Sequence, residues 1–253
     1  MGSWNEFHNA LARELQFVFT PVTKSHQTEL GQTILNSLLD DPGPRRLQRR
    51  ATEKELFYRR LFEGFSEIHS SLESMKNTEV YLRRFPFRGT RITLPGYLKY
   101  HVENYFNEVY ILEQRVLSYL TKIGREYRRD SRHAEVLAAT RPLFRLVDQS
   151  LKGIVNTRGR HVHERRYTDK DLDRLELMNL LTSNQSGIEE FSEVLVPFYR
   201  SEYRRIRSAW RSRVKKNNEV LVELLDMCAE KLLPVLFSNG SGRLSYPANL
   251  KST

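Results

Sequence analysis

The chain has 253 residues, enough to bury one substantial core without a crosslink, and its single cysteine, Cys228, excludes an internal disulfide and fits a reducing compartment. Lysine and arginine total 41 against 31 acidic residues, a formal net charge of +10 that favours polyanions as partners, RNA being the commonest soluble one, over a merely solubilising basic surface. The first residues carry neither a basic run nor an apolar stretch, no segment is apolar enough to span a bilayer, and Glu6 breaks the Met-Gly acylation pattern, so a cytoplasmic protein without membrane contact is expected.

Helical periodicity dominates the chain from its start. Ser3 with Glu6 opens a short amphipathic helix using Phe7, Leu11, Leu15 and Val18, and Leu30, Ile34 and Leu38 suggest its antiparallel neighbour. The linker DDPGPRRLQRR then marks a boundary, which divides the chain into an N-terminal helical extension (1–50), a main helical bundle (51–236) and a tail (237–253). Thr52 and Glu55 form a capping box ahead of the stripe Phe57, Leu61, Phe65, Ile68, Leu72 and Met75. The arginine-rich RRFPFRGTRITLP, with two prolines and a glycine, reads as a loop whose TRITL piece is briefly extended.

Pro95 and Gly96 supply the start of the longest stripe, in which Leu98, Val102, Phe106, Val109, Leu112, Val116, Leu120, Ile123 and Tyr127 recur at steps of three or four. A further run (Leu143, Phe144, Val147, Leu151, Ile154, Val155) begins after Pro142 and leads to Arg158. Thr168 and Asp171 read as a second capping box, opening a helix through Leu172, Leu175 and Met178 that SNQSG ends. The last helical stretch, Ile188 to about Leu233, carries Pro197 near its start and is expected to kink or break there. The polar, Gly/Ser-containing end SNGSGRLSYPANLKST reads as disordered. The fold class is therefore all-α, a multi-helix bundle of long antiparallel helices.

The chemistry-bearing residues concentrate in one segment. No H-E-x-x-H exists, one cysteine cannot build a thiolate cage, and the glycines fit neither nucleotide-binding spacing, so no metal and no cofactor are expected. No G-x-S-x-G elbow marks a serine nucleophile. What remains is NTRGRHVHERR, with Arg158, Arg160, His161, His163, Glu164, Arg165 and Arg166. Arg158 follows a buried stripe, and a guanidinium there suits phosphate because it is always charged, planar and able to donate two parallel hydrogen bonds. His163 titrates near neutrality, so it can take a proton from a ribose 2′-hydroxyl or give one to a leaving oxygen. On an unbroken helix the two positions lie roughly 140° apart. Either Gly159 ends the helix or the pair meets across segments or subunits; His161, three residues from Arg158, is the alternative base for an unbroken helix.

This pattern resembles the HEPN superfamily, whose hallmark is an arginine and a histidine separated by four to six residues at the end of a long helix in an all-α bundle. The helix HVENYFNEVYILEQRVLSYL followed by LFRLVDQSLKGIVNTRGRHVHE is similar to the helix order of a bacterial HEPN branch, and the resemblance covers roughly residues 52 to 185. It implies a homodimer with facing motifs and metal-independent endoribonuclease activity leaving a 2′,3′-cyclic phosphate. In that reading Arg158 stabilises the phosphorane charge, His163 acts as base or acid, and an antitoxin or another protein partner of a toxin or antiphage system is expected. One position departs: members place a polar residue, often asparagine, after the arginine, where this chain has Gly159. That removes a side-chain hydrogen bond and opens the alternative of a catalytically silent module that holds RNA, a nucleotide or a protein.

Supporting contacts to the motif are expected from Asn104, Glu108 and Arg115, at near-helical spacing beside the longest stripe, with Arg160 a further candidate. A purely structural alternative pairs Arg158 with Glu108 or Glu113 and leaves His163 capping or exposed. In YRSEYRRIRSAWRSRVKK, Arg200, Arg204, Arg207 and Arg211 form a basic stripe beside the apolar one of Tyr199, Tyr203, Ile206, Trp210 and Val214, which an RNA backbone could track or which could simply face solvent.

Overall fold

A computed structural model describes residues 2–18, 52–83, 91–163, 169–182, 189–237 and 242–248, with the side chains of 16–18, 158–163 and 189–193 outside the description. Six α-helices account for nearly all of these residues: α1 (Ser3–Val18), α2 (Glu53–Tyr81), α3 (Leu94–Glu126), α4 (His133–His163), α5 (Lys170–Leu181) and α6 (Glu189–Leu236). No strand occurs among the described residues beyond an isolated bridge between Phe237 and Leu244.

The capping box of α2 forms with both arms: Thr52 Oγ1 accepts from the Glu55 amide (3.2 Å) and the Glu55 carboxylate from the Thr52 amide (2.7 Å). Behind it, the α2 stripe from Phe57 to Met75 and the α3 stripe from Leu98 to Ile123 are buried throughout and face each other. Their antiparallel register is fixed at three levels. Arg60 reaches Glu126 with two bonds (2.7 and 2.9 Å), the Tyr119 ring lies against Gly64, and the Tyr97 hydroxyl donates to the Tyr81 carbonyl (3.4 Å). A buried polar clasp brings in α6: the Tyr105 hydroxyl donates to Asn218 Oδ1 (3.0 Å), and Asn218 Nδ2 donates to the Met75 carbonyl (3.3 Å). Three helices are thereby locked in one register, since any slip would strand buried polar groups.

Several local boundaries differ from those the sequence predicts. Helix α4 begins at His133, not after Pro142; both Pro142 and the Pro197 of α6 lie on exposed faces inside continuous helices. One helix bond lost at a proline does not end a helix whose apolar stripe stays buried, as Val136, Leu143 and Val147 do in α4 and Tyr199 and Tyr203 in α6. The α5 cap is Asp169, whose carboxylate accepts from the amides of Asp171 (3.0 Å) and Leu172 (3.1 Å), one residue after the predicted Thr168, which lies outside the described residues. The predicted helix around Leu30 to Leu38 lies outside them too, as does Thr90 of TRITL; of the rest, Thr93 is extended as the cap of α3 and Leu94 is already helical.

The two ends of the chain depart most. The expected N-terminal extension contributes Trp4, Phe7 and Leu11 to the common core, with Trp4 stacked on Phe65 (4.5 Å between centroids) and the Tyr58 hydroxyl donating to the Leu11 carbonyl (2.9 Å). The tail, read as disordered, is docked over residues 242–248. Buried Glu14 accepts from Arg243 Nε (3.1 Å), the Leu244 amide (3.2 Å) and the Tyr246 hydroxyl (3.1 Å), while Asp130 accepts from the Ala248 amide (2.6 Å). Cys228 is a buried apolar group whose thiol burial pushes up to about 12, consistent with an inert role. No described helix is long and apolar enough to cross a membrane.

Candidate nucleic-acid interface

The segment carrying Arg158, Arg160, His161 and His163 forms the last turns of α4, which stays helical through Gly159 to His163. Positions 158 and 163 therefore sit roughly 140° apart around the helix, and positions 158 and 161 only about 60° apart. The side chains of these residues lie outside the described part of the structure, but the level of the segment in the bundle is fixed. Helices α3 and α4 form an antiparallel hairpin turned at residues 127–132, where Asp130 Oδ1 accepts from the Arg132 amide (2.9 Å) and Gly124 lies beside Leu137. At about 1.5 Å per residue, α4 is long enough to return to the level of the first turns of α3. Its inner face stays on the core as far as Ile154 and Val155.

The residues predicted to support the motif are spread along α3. Asn104 and Glu108 are half-buried in its first half. Glu113 is buried, 5% exposed; burial, opposed by a hydrogen bond from Gln114 and reinforced by Asp148, raises its carboxyl pKa. Asp148 lies ten residues, about 15 Å of helix, before position 158, so Glu113 belongs to a different level of the bundle. Arg115 faces α2, where it binds Ser71 Oγ, the Glu67 carbonyl (3.0 Å) and the Glu67 carboxylate (2.6 Å). It borders a cleft of about 490 Å³ between α2 and α3, whose wall includes Tyr110, Tyr119 and Lys122.

The basic stripe of α6 divides into two halves. Arg211 pairs with Glu79 of α2 (3.2 Å) and Arg207 lies over the Tyr203 ring (5.5 Å), whereas Arg200 and Arg204 are exposed and make no ion pair among the described residues. Arg205, next to Arg204 in sequence, is tied to Glu202 (3.0 Å) and Asp171 (3.3 Å). The apolar half of the pattern is met in full: Tyr199, Tyr203, Ile206, Trp210 and Val214 are all buried.

A group that the sequence reading passed over stands at the same end. His101, on α3, is packed among Tyr97 (4.4 Å between centroids), Tyr81 (5.1 Å) and Tyr100 (5.2 Å). Burial lowers the His101 pKa, so the ring is neutral at neutral pH. Two of its neighbours are open: Tyr81 is 47% and Tyr100 62% exposed. The run YLKYH, with aromatic rings at i, i+3 and i+4, carried a local signal for three of the four members of this cluster; Tyr81, on α2, carried none.

The described residues contain no group of three His, Cys, Asp or Glu side chains arranged to hold a metal ion. No protein-family model matches the chain, and neither does any curated protein or solved structure.

Proposed function

We propose that this chain binds RNA and cuts it without a metal ion, using the α4 terminus as its reactive site and working as a homodimer. The observation that carries the reading is the placement of a segment with three of the motif's cations and titratable rings, Arg158, His161 and His163, on the end of a buried helix, at the level where α3 begins. In the proposed step a histidine takes the 2′-hydroxyl proton, O2′ attacks phosphorus, and the P–O5′ bond breaks as O5′ takes up a proton. The products are a 2′,3′-cyclic phosphate and a 5′-hydroxyl end. Arg158 balances the charge of the pentavalent phosphorus. The basic face of α6 supplies the long-range attraction, in keeping with a net charge of +10.

The continuity of α4 through Gly159 makes His161 the better partner for Arg158 within one chain, and leaves His163 to act across the dimer or on a second proton. The same continuity favours one alternative, a module that holds RNA without cutting it. Incubating the purified chain with mixed-sequence RNA in chelator, beside Arg158→Ala, His161→Ala and His163→Ala, separates these. Cleavage lost with Arg158 and with one or both histidines supports the enzyme; binding that survives with no cleavage in any sample supports the silent module. If the chain neither binds nor cuts RNA, both readings fall.

A further inference from the structure

We infer that the aromatic cluster at the α2–α3 end is a stacking platform for unpaired nucleobases, a binding site separate from the α4 terminus. The inference rests on the RNA reading above and adds a surface that recognises single strands. Tyr81 and Tyr100 present large exposed rings, and both are braced from behind by the half-buried, neutral His101, so the rings are held rather than free to collapse onto the bundle. Bases stack on such rings whatever their identity, because every base has a π-face, but only where the base has left a duplex.

The charges around the cluster point to a polyanion instead of an apolar protein partner. Arg83 and Arg91, exposed on either side of the α2–α3 connection, make no ion pair among the described residues. Tyr97 extends the cluster towards α6: burial raises its pKa, with Tyr203 next as a contributor, and the Tyr203 ring carries the Arg207 guanidinium. Arg204 and Arg200, open on α6, lie about one and two turns from Arg207. The acidic groups nearby are already engaged, Asp173 and Glu176 by Lys99 (3.9 and 3.1 Å) and Glu79 by Arg211. Exposed rings flanked by uncommitted arginines are what a phosphate-linked single strand fits: rings take bases and guanidinium groups take the backbone.

The test uses the full chain with a fluorescent unstructured 12-mer and a blunt duplex of equal length, both of 2′-O-methyl RNA so that O2′ cannot attack phosphorus, read by anisotropy. Tyr81→Ala with Tyr100→Ala should weaken single-strand binding roughly ten- to hundredfold and leave duplex binding unchanged, whereas Tyr81→Phe with Tyr100→Phe should retain single-strand affinity. Unaltered circular-dichroism melting establishes that the variants fold. Single-strand affinity unchanged in the alanine variant, or lost equally for single strand and duplex, overturns the platform. Failure of the nuclease reading has a different signature, because binding is measured without cleavage: a platform that binds while no variant or parent cuts RNA leaves this inference standing, and a chain that cuts RNA equally well without the two rings removes it.

Discussion

The two ends of the bundle handle polar groups in opposite ways. At the end where α1, the close of α3 and the tail meet, carboxylates are buried and used up: Glu14 is 1% exposed and takes three donors, and Asp130 takes donors from Arg132 and Ala248. At the other end, where α2 closes and α3 opens, the Tyr81 and Tyr100 rings are exposed on one side of His101, and Arg200 and Arg204 are exposed and make no ion pair among the described residues. Saturated polar groups hold the chain together, whereas uncommitted rings and cations leave room for something from outside. Substitutions at the first end should therefore cost stability, and substitutions at the second should cost binding.

The largest stability effect is expected at Glu14. Replacing it with alanine leaves the buried Leu244 amide and the Tyr246 hydroxyl without this acceptor and removes one contact of Arg243, so Glu14→Ala should destabilise by about 2–4 kcal/mol in urea unfolding. Truncation before residue 242 should cost a similar amount by leaving the carboxylate buried without its donors. An unchanged urea midpoint in both variants would show that the tail does not hold the bundle closed. Acid should loosen the same end through Asp130. Burial works to raise the Asp130 pKa, but hydrogen bonds from the Ala248 and Arg132 amides and the Arg132 charge outweigh it and hold the carboxyl below its ordinary range. A carboxyl depressed in the folded state stabilises it above the unfolded value, about 3.9, and that contribution disappears as pH falls through the folded value. Protection of the Ala248 amide against exchange, taken relative to the intrinsic rate at each pH, should accordingly fall below about pH 4, and more than that of the α2 core amides.

Next in size come two changes within the helix interfaces. Asn218→Ala removes the acceptor of the Tyr105 hydroxyl and the donor to Met75, and should cost about 2–3 kcal/mol. Gly64→Ala puts a methyl group 2.5 Å from the buried Tyr119 ring, which has to shift, at about 1–3 kcal/mol. Either variant melting with the parent would mean that α2, α3 and α6 tolerate register or packing shifts that the clasp and the close approach oppose.

The helices themselves were largely legible because each buries one stripe, and a period of 3.6 residues survives without knowledge of the partner: Phe57 to Met75 and Leu98 to Ile123 are buried as their spacing predicts. Caps were legible where side chain and amide lie three residues apart, as at Thr52. What escaped was non-local. Nothing near Glu14 in sequence announces that its donors lie about 230 positions away, so a polar Gly/Ser tail read as disordered when its Leu244 amide and Tyr246 hydroxyl reach buried Glu14 and its Ser245 carbonyl accepts from the Tyr127 hydroxyl. The start of α4 was hidden for a similar reason, since Asp130 sits in the charged run RRDSRH and is held by Ala248 as well as by its own turn. At the α4 terminus Gly159 was compatible with both a stop and continuation; the helix continues, which changes which histidine shares a face with Arg158. The α6 arginines were read as equals because spacing places them on one stripe, but among the described residues only Arg211 of the four meets a carboxylate of α2.

That inequality gives the smallest stability effect and the sharpest contrast between structural and binding roles. Arg211 and Glu79 are both partly exposed, so their pair is screened by water and Arg211→Ala should cost only about 0.2–1 kcal/mol, less at high salt. Arg204 has no such carboxylate among the described residues, so Arg204→Ala should leave the melting temperature within error of the parent. For RNA the order should reverse. Losing Arg204 removes a cation free to meet phosphate and should lower the slope of log affinity against log salt by about 0.7, the single-strand value for one contact, while losing Arg211 lowers it less because that charge is already balanced. Salt titrations of the two variants at equal folded fraction read the difference directly. Equal slopes would mean that the α6 stripe acts as one undivided basic face, and that commitment to a carboxylate does not decide which arginines take part in binding.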